Sequence, residues 1–486
     1  MSPILVAVVI GGYFLLLILI SWITSSSSDA ASFYTGNRAS PWYLVAFGMI
    51  GASLSGVTFI SMPGEVGNSH FHYFQMVLGY LAGYAVIALI LMPLYYRHNL
   101  ISIYEYLKSR FGFWSHKMGA LFFLISRVIG ASFRLFLVAG VLQIGFFGAF
   151  NLPFWVSVLA TILLIWIYTL KGGIKTIVWT DTLQTTFMIL SVIVSIILIM
   201  NSLNWNLSEM LVSIQNDSRS QVFNWNWRSP NNFFKQFIAG AFIAIVMTGL
   251  DQDMMQKNLT CKTLKDAQKN FFWFSVILIF VNIMFLCLGL LLYQFAELST
   301  IGIPDRSDEL FPFLAIQHMT LLGGVVFLLG ITAAAYSSAD SALTALTTSF
   351  CVDFLGFTPE NFESKKKVRI AIHFAFSILL FVTVLAFQGI DDQSVITSVF
   401  LAAGYTYGPI LGLFAFGIYT SWNVRDNRVP MICLSSPIVA YIIKINAPRW
   451  FWGYEMGFEV LLVNGLITFL GLWTIRKNHS LTGLAP

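Results

Sequence analysis

Gly51-Ala-Ser-Leu-Ser-Gly56 lies in the middle of an apolar run that extends from Trp42 to Met62. The run is long enough to cross about 30 Å of hydrocarbon, yet its centre holds two glycines and two serines. Five runs further on, Phe234 to Leu250 carries small residues from Ala239 to Ala244 and closes at Gly249. Matching interruptions in two halves point to a transporter built of inverted repeats, because unwound backbone at mid-membrane survives only where it lines a cavity. The alternative is that glycine and serine merely let helices approach closely.

Thirteen such runs follow one another from Ile4–Ile23 to Met456–Ile475, and no stretch between them is long enough for a soluble domain. Of the 486 residues 57% are hydrophobic and 10% charged, where a soluble domain carries about 25% charged residues. The first run has neither a basic leader nor an obvious cleavage site, so it reads as a retained helix. With the N-terminus outside, nineteen Lys and Arg, Lys257 and the Lys365–Lys367 run among them, fall in cytoplasmic segments and five in outer loops. The positive-inside rule therefore selects N-out, C-in. The lysine run is expected to anchor topology on a solvated loop rather than bind nucleic acid. Cys261, Cys287, Cys351 and Cys433 lack metal-ligand spacing, which excludes a zinc or disulfide framework as the organising principle.

Ionisable groups inside apolar runs are expensive and mark function unless they are paired. Arg127, Arg134, Asp181 and Asp340 qualify, whereas Lys444 and Glu459 lie near run ends, where snorkelling explains them. The ninth run holds Ala333-Ala-Ala-Tyr-Ser-Ser-Ala-Asp-Ser-Ala-Leu-Thr344, and at helical spacing Ser337, Ser341 and Thr344 share a face flanked by Ser338 and Asp340. Hydroxyls alone usually bond back to a helix, but with a carboxylate they suit a hard cation. Asp181 could complete such a site, relay protons, or pair with Arg127 or Arg134. Those two arginines, two helical turns apart, could instead present a guanidinium to an anionic substrate.

Four stretches carry a resemblance to the sodium:solute symporter family, which includes sodium/glucose, proline, sialic acid, iodide, multivitamin and monocarboxylate carriers. They are Tyr168 to Gln184, Asp251-Gln-Asp-Met-Met-Gln-Lys257, Ala334-Ala-Tyr-Ser-Ser338 and Gly404-Tyr-Thr-Tyr-Gly-Pro-Ile-Leu-Gly412, in family order over nearly the whole chain. The resemblance implies an all-α membrane protein of about thirteen transmembrane helices with a LeuT-type 5+5 inverted repeat, unwound in its second and seventh helices. It implies one transporter domain over 1–486. Residues 1–40 form an extra helix and loop, 41–201 the first repeat, 233–421 the second, and 422–486 two further helices and a tail. It also implies a main sodium site from the oxygens of Ala52, Ser55, Ala334, Ser337 and Ser338, and a possible second from Asp181, Asp340 and Ser341.

The stretch from Ser55 to Glu65 is similar to the iodide, vitamin and monocarboxylate branch. With Arg127 and Arg134 as candidate ligands, the expected activity is sodium-coupled symport of an organic anion such as a monocarboxylate, sialic acid or vitamin-like acid. A sugar or polyol is the alternative. A carboxylate-pair enzyme using Asp181 and Asp340, a channel, or a sensor on the same fold are rivals of other classes, and no enzyme activity is expected. The expected partners are sodium, a small solute and the bilayer of a plasma (inner) membrane, with no nucleic acid and no obligatory protein partner.

Overall fold

The computed structural model describes residues 3–24, 38–98, 100, 102–169, 174–358, 364–388 and 395–477. Thirteen helical passes, counted among those residues, coincide with the thirteen apolar runs. Several are longer than the runs, such as Phe113–Gly145 and Leu264–Leu298. The chain is therefore a multi-pass membrane protein. Two passes among the described residues bend by more than 40° at a break. The seventh bends by 70° between Phe233–Gly249 and Gln252–Asn258, and the eleventh by 48° between Val395–Thr406 and Gly408–Tyr419.

Pass-to-pass packing repeats itself. The third pass (Tyr73–His98) packs on the seventh as the eighth (Leu264–Leu298) packs on the second (Trp42–Ser69). The ninth (Leu321–Ser349) packs on the sixth (Ile174–Ser202) as the fourth (Phe113–Gly145) packs on the eleventh. Adding or subtracting five converts each pairing into its counterpart, the signature of a five-plus-five repeat. Glycines set the closest of these contacts. A Cβ at Gly79 or Gly83 would strike the backbone carbonyls of Phe237 or Ala241, and one at Gly240 that of Met76. At the equivalent seam a Cβ at Gly289 would collide with Pro63.

Both readings of Gly51–Gly56 hold, at different residues. Ser55 leaves the helix with φ +30° and ψ 170°, a conformation that L residues rarely adopt. That is the break. Gly51 and Gly56 are packing glycines: the first donates its N–H to Thr185 Oγ1 at 3.1 Å, and a Cβ on the second would lie 3.2 Å from that of Ala335.

The polar segment after the sixth pass carries a short helix of its own. Asn206 caps the helix Leu207–Asn216 by accepting from the Glu209 N–H, while Glu209 returns a bond to the Asn206 N–H. Arg219 then clamps Asp217 at 2.7 Å and Glu297 at 2.6 Å. Its side-chain hydrogen bonds hold the Asp217 carboxyl down at about 2. A depressed carboxyl contributes stability that is fully present above the ordinary carboxylate range and is lost as pH falls through the folded value. Between about pH 4 and pH 2 the wild-type thermal midpoint should therefore fall more steeply than that of Asp217→Asn. Parallel slopes would remove the clamp from the stability of this segment.

Candidate functional site

The two halves of the expected sodium site meet. Ala52 lies just before the break at Ser55 in the second pass, Ala334, Ser337 and Ser338 occupy one turn of the ninth, and the passes touch where Gly56 lies on Ala335. All five residues are buried. The Ser338 hydroxyl donates back to the carbonyls of Ala334 at 3.3 Å and Ala335 at 3.2 Å, so its oxygen keeps acceptor capacity.

Asp181 faces the same turn from the sixth pass. Ser337 Oγ donates to its Oδ1 at 2.8 Å, and Lys257 Nζ stands 2.8 Å from its Oδ2. Asp181 therefore pairs with neither Arg127 nor Arg134. Lys257, assigned above to a cytoplasmic segment, is instead 1% exposed on the short helix Gln252–Asn258 behind the 70° bend. The apolar run ends at Leu250, but the chain turns back into the protein, so the polar motif that follows is interior.

Arg127 also changes role. Its guanidinium donates to Asp253 Oδ2 and lies 3.7 Å from Asp251 Oδ2. Ser341 Oγ donates to Asp253 Oδ2 at 3.1 Å, and the Tyr407 hydroxyl, at the joint of the eleventh pass, donates to Asp251 Oδ2 at 2.6 Å. Of the possible second sodium set, Ser341 thus donates to Asp253 and to the Ser337 carbonyl. The Asp340 side chain lies outside the described residues. The break in the seventh pass also frees carbonyls, and tyrosines satisfy them. Tyr95 donates to Gly249 O at 2.7 Å and Tyr104 to Leu250 O at 2.9 Å.

Arg134 is the cation left over. It is buried, and no carboxylate among the described residues comes within ion-pair reach of it. It lines a cavity of about 70 Å³ together with Ala52, Thr58, Tyr80, Tyr84 and Asn282. A second cavity, of about 240 Å³ and lined by Glu65, Gln236 and Lys444, lies next to it, and Tyr73 and Phe400 border both. Their rings stack with centroids 6.4 Å apart. Lys444, read above as a snorkelling residue, lines this second cavity. Sequence reasoning missed Asp251, Asp253, Lys257, Tyr407 and this aromatic pair. For the first three a signal existed: Phe234–Leu250 spans only about 25 Å at 1.5 Å per residue, too short to cross unaided.

The profile of the family described as "Sodium:solute symporter family" matches residues 33–425. The chain belongs to the sodium:solute symporter family. Among curated family proteins, the human sodium/iodide cotransporter is 25% identical over 430 residues, covering 84% of this chain and 65% of its own length. A sodium/sialic acid symporter of Proteus mirabilis is 23% identical over 482 residues, covering 96% and 93%. The mouse sodium-coupled monocarboxylate transporter 2 is 24% identical over 406 residues, covering 82% and 65%. This chain thus spans about two thirds of the iodide and monocarboxylate carriers and nearly all of the sialic acid symporter. In fold, a Na⁺-coupled sialic acid symporter in a substrate-bound outward-open state superposes with a TM-score of 0.81 at 20% identity, over 97% of this chain and 98% of that one. Mhp1, a nucleobase-cation-symport-1 family transporter, superposes at 0.56 with 12% identity, over 93% and 96%. The LeuT-type architecture of this family member is thereby established.

Proposed function

We propose that this chain carries a small organic anion inward with sodium, by alternating access across a plasma (inner) membrane, with its N-terminus outside and its C-terminus in the cytoplasm. The observation that supports the anion is Arg134, a buried guanidinium facing a cavity with no acid of its own among the described residues. A carboxylate there gains charge-assisted, potentially bidentate hydrogen bonds, whereas a sugar or polyol would leave the charge uncompensated. The cavity volume, about 70 Å³, is small beside the 300–1,000 Å³ typical of drug-sized sites, and favours a compact acid.

Sodium binds at the break, held by the oxygens of Ala52, Ser55, Ala334, Ser337 and Ser338. Ala52 belongs to this site and to the wall of the Arg134 cavity. A cation that fixes the second pass against the ninth therefore also fixes one wall of the solute site, and the two ligands help each other by linkage. Tyr73 and Phe400 close the cavity on the side of the larger space, so the solute reaches Arg134 when these rings part. Each sodium entering a cell gains about 2.3 kcal/mol per 100 mV of membrane potential and each negative charge on the solute costs the same, so the potential adds drive only where sodium outnumbers that charge.

The test is uptake into vesicles after a thermal-shift screen of organic acids, sugars and vitamins has named a ligand. Replacing external sodium with choline should abolish accumulation. Ser337→Ala with Ser338→Ala should raise the sodium concentration needed for half-maximal uptake by about tenfold or more, at roughly 1.5 kcal/mol or more per lost charged contact. Accumulation that continues unchanged in choline sinks the assignment.

A further inference from the structure

Within the reading of this chain as a sodium symporter, we propose that the Lys257 ammonium is a built-in cation that takes the place of a second sodium at Asp181. Transport then runs on one sodium per cycle. Both Asp181 oxygens are engaged, Oδ1 by the Ser337 hydroxyl and Oδ2 by Lys257 Nζ, each at 2.8 Å. The carboxylate and the lysine are both about 1% exposed. A sodium ion needs hard oxygen ligands bearing negative charge, and a positive charge held in contact with the carboxylate opposes a second cation there. Ser341, the hydroxyl one turn beyond Ser337, is drawn to Asp253.

The ammonium is well anchored. Lys257 belongs to the inner half of the broken seventh pass, its carbonyl accepts from Thr260 Oγ1 at 2.7 Å, and the same short helix carries Asp253 in its bond to Arg127. A tethered cation is not released with the solute. It keeps Asp181 neutralised and oriented, and through Ser337 it holds in place a residue of the main sodium site. One sodium entering with one monovalent anion moves no net charge, so the stoichiometry also decides whether the membrane potential can drive uptake.

Equilibrium binding of radiolabelled sodium to the purified full-length protein tests this. About one ion per chain is expected for the wild type and about two for Lys257→Gln, whose freed Asp181 carboxylate can take a sodium by mass action. Two ions in the wild type, or one in both proteins, overturn the proposal. No sodium binding in the wild type would instead overturn the symporter reading. Should Lys257→Gln fail to fold, Asp181→Asn/Lys257→Gln removes both charges together and should bind about one ion, as the wild type does. A count of two in that double variant would equally rule the proposal out.

Discussion

Arg134→Met is expected to fold as well as the wild type and to lose uptake. The buried guanidinium has no acid beside it among the described residues, so replacing it with an apolar side chain of similar length relieves desolvation without stranding a partner. The thermal midpoint should hold or rise. The solute, by contrast, loses a buried cation that has no carboxylate within ion-pair reach among the described residues. Removing one partner of a buried charged contact costs about 2–5 kcal/mol, or thirtyfold and upward in the concentration needed for half-maximal uptake. The stabilisation that the ligand confers on the wild type should vanish with it. Uptake within a few-fold of wild type would mean that the solute is held elsewhere.

The largest effect on stability is expected at Arg127, seven residues before it on the same pass. Arg127→Met leaves Asp251 and Asp253 facing each other in the interior, with Tyr407, Ser341 and the N–H groups of Asp253 and Met254 as their remaining donors. Breaking a buried pair by removing one member destabilises by about 3–5 kcal/mol. Purified Arg127→Met should melt well below the wild type, and Arg127→Met/Asp253→Asn should recover part of the loss. A wild-type midpoint in Arg127→Met, with uptake abolished, would return Arg127 to the solute site.

That contrast marks how far the sequence could be read. The passes were legible because hydropathy depends on composition alone, and the break at Gly51–Gly56 because small residues in a span need a reason. The oxygens of Ser337 and Ser338 were legible because helical spacing fixes a face without knowledge of the neighbours. Which cation meets which anion was not. Arg127 and Arg134 look alike in the sequence and differ only in what the seventh pass brings to them after its 70° bend. Lys257 looked like one more cytoplasmic lysine because hydropathy cannot tell a chain that leaves the bilayer at Leu250 from one that turns back into the protein.

The glycine seam between the third and seventh passes has a mechanical consequence. With Gly79 and Gly83 seated on the Phe237 and Ala241 carbonyls, and Gly240 on that of Met76, neither helix can slide along the other without ramming backbone into backbone. Phe233–Gly249 and the third pass therefore travel as one strut, and rotation is left to the elbow at Leu250 and Asp251. In the alternating access proposed for this chain, the charged groups that this elbow carries, Asp251, Asp253 and Lys257, would be geared to the crank that turns.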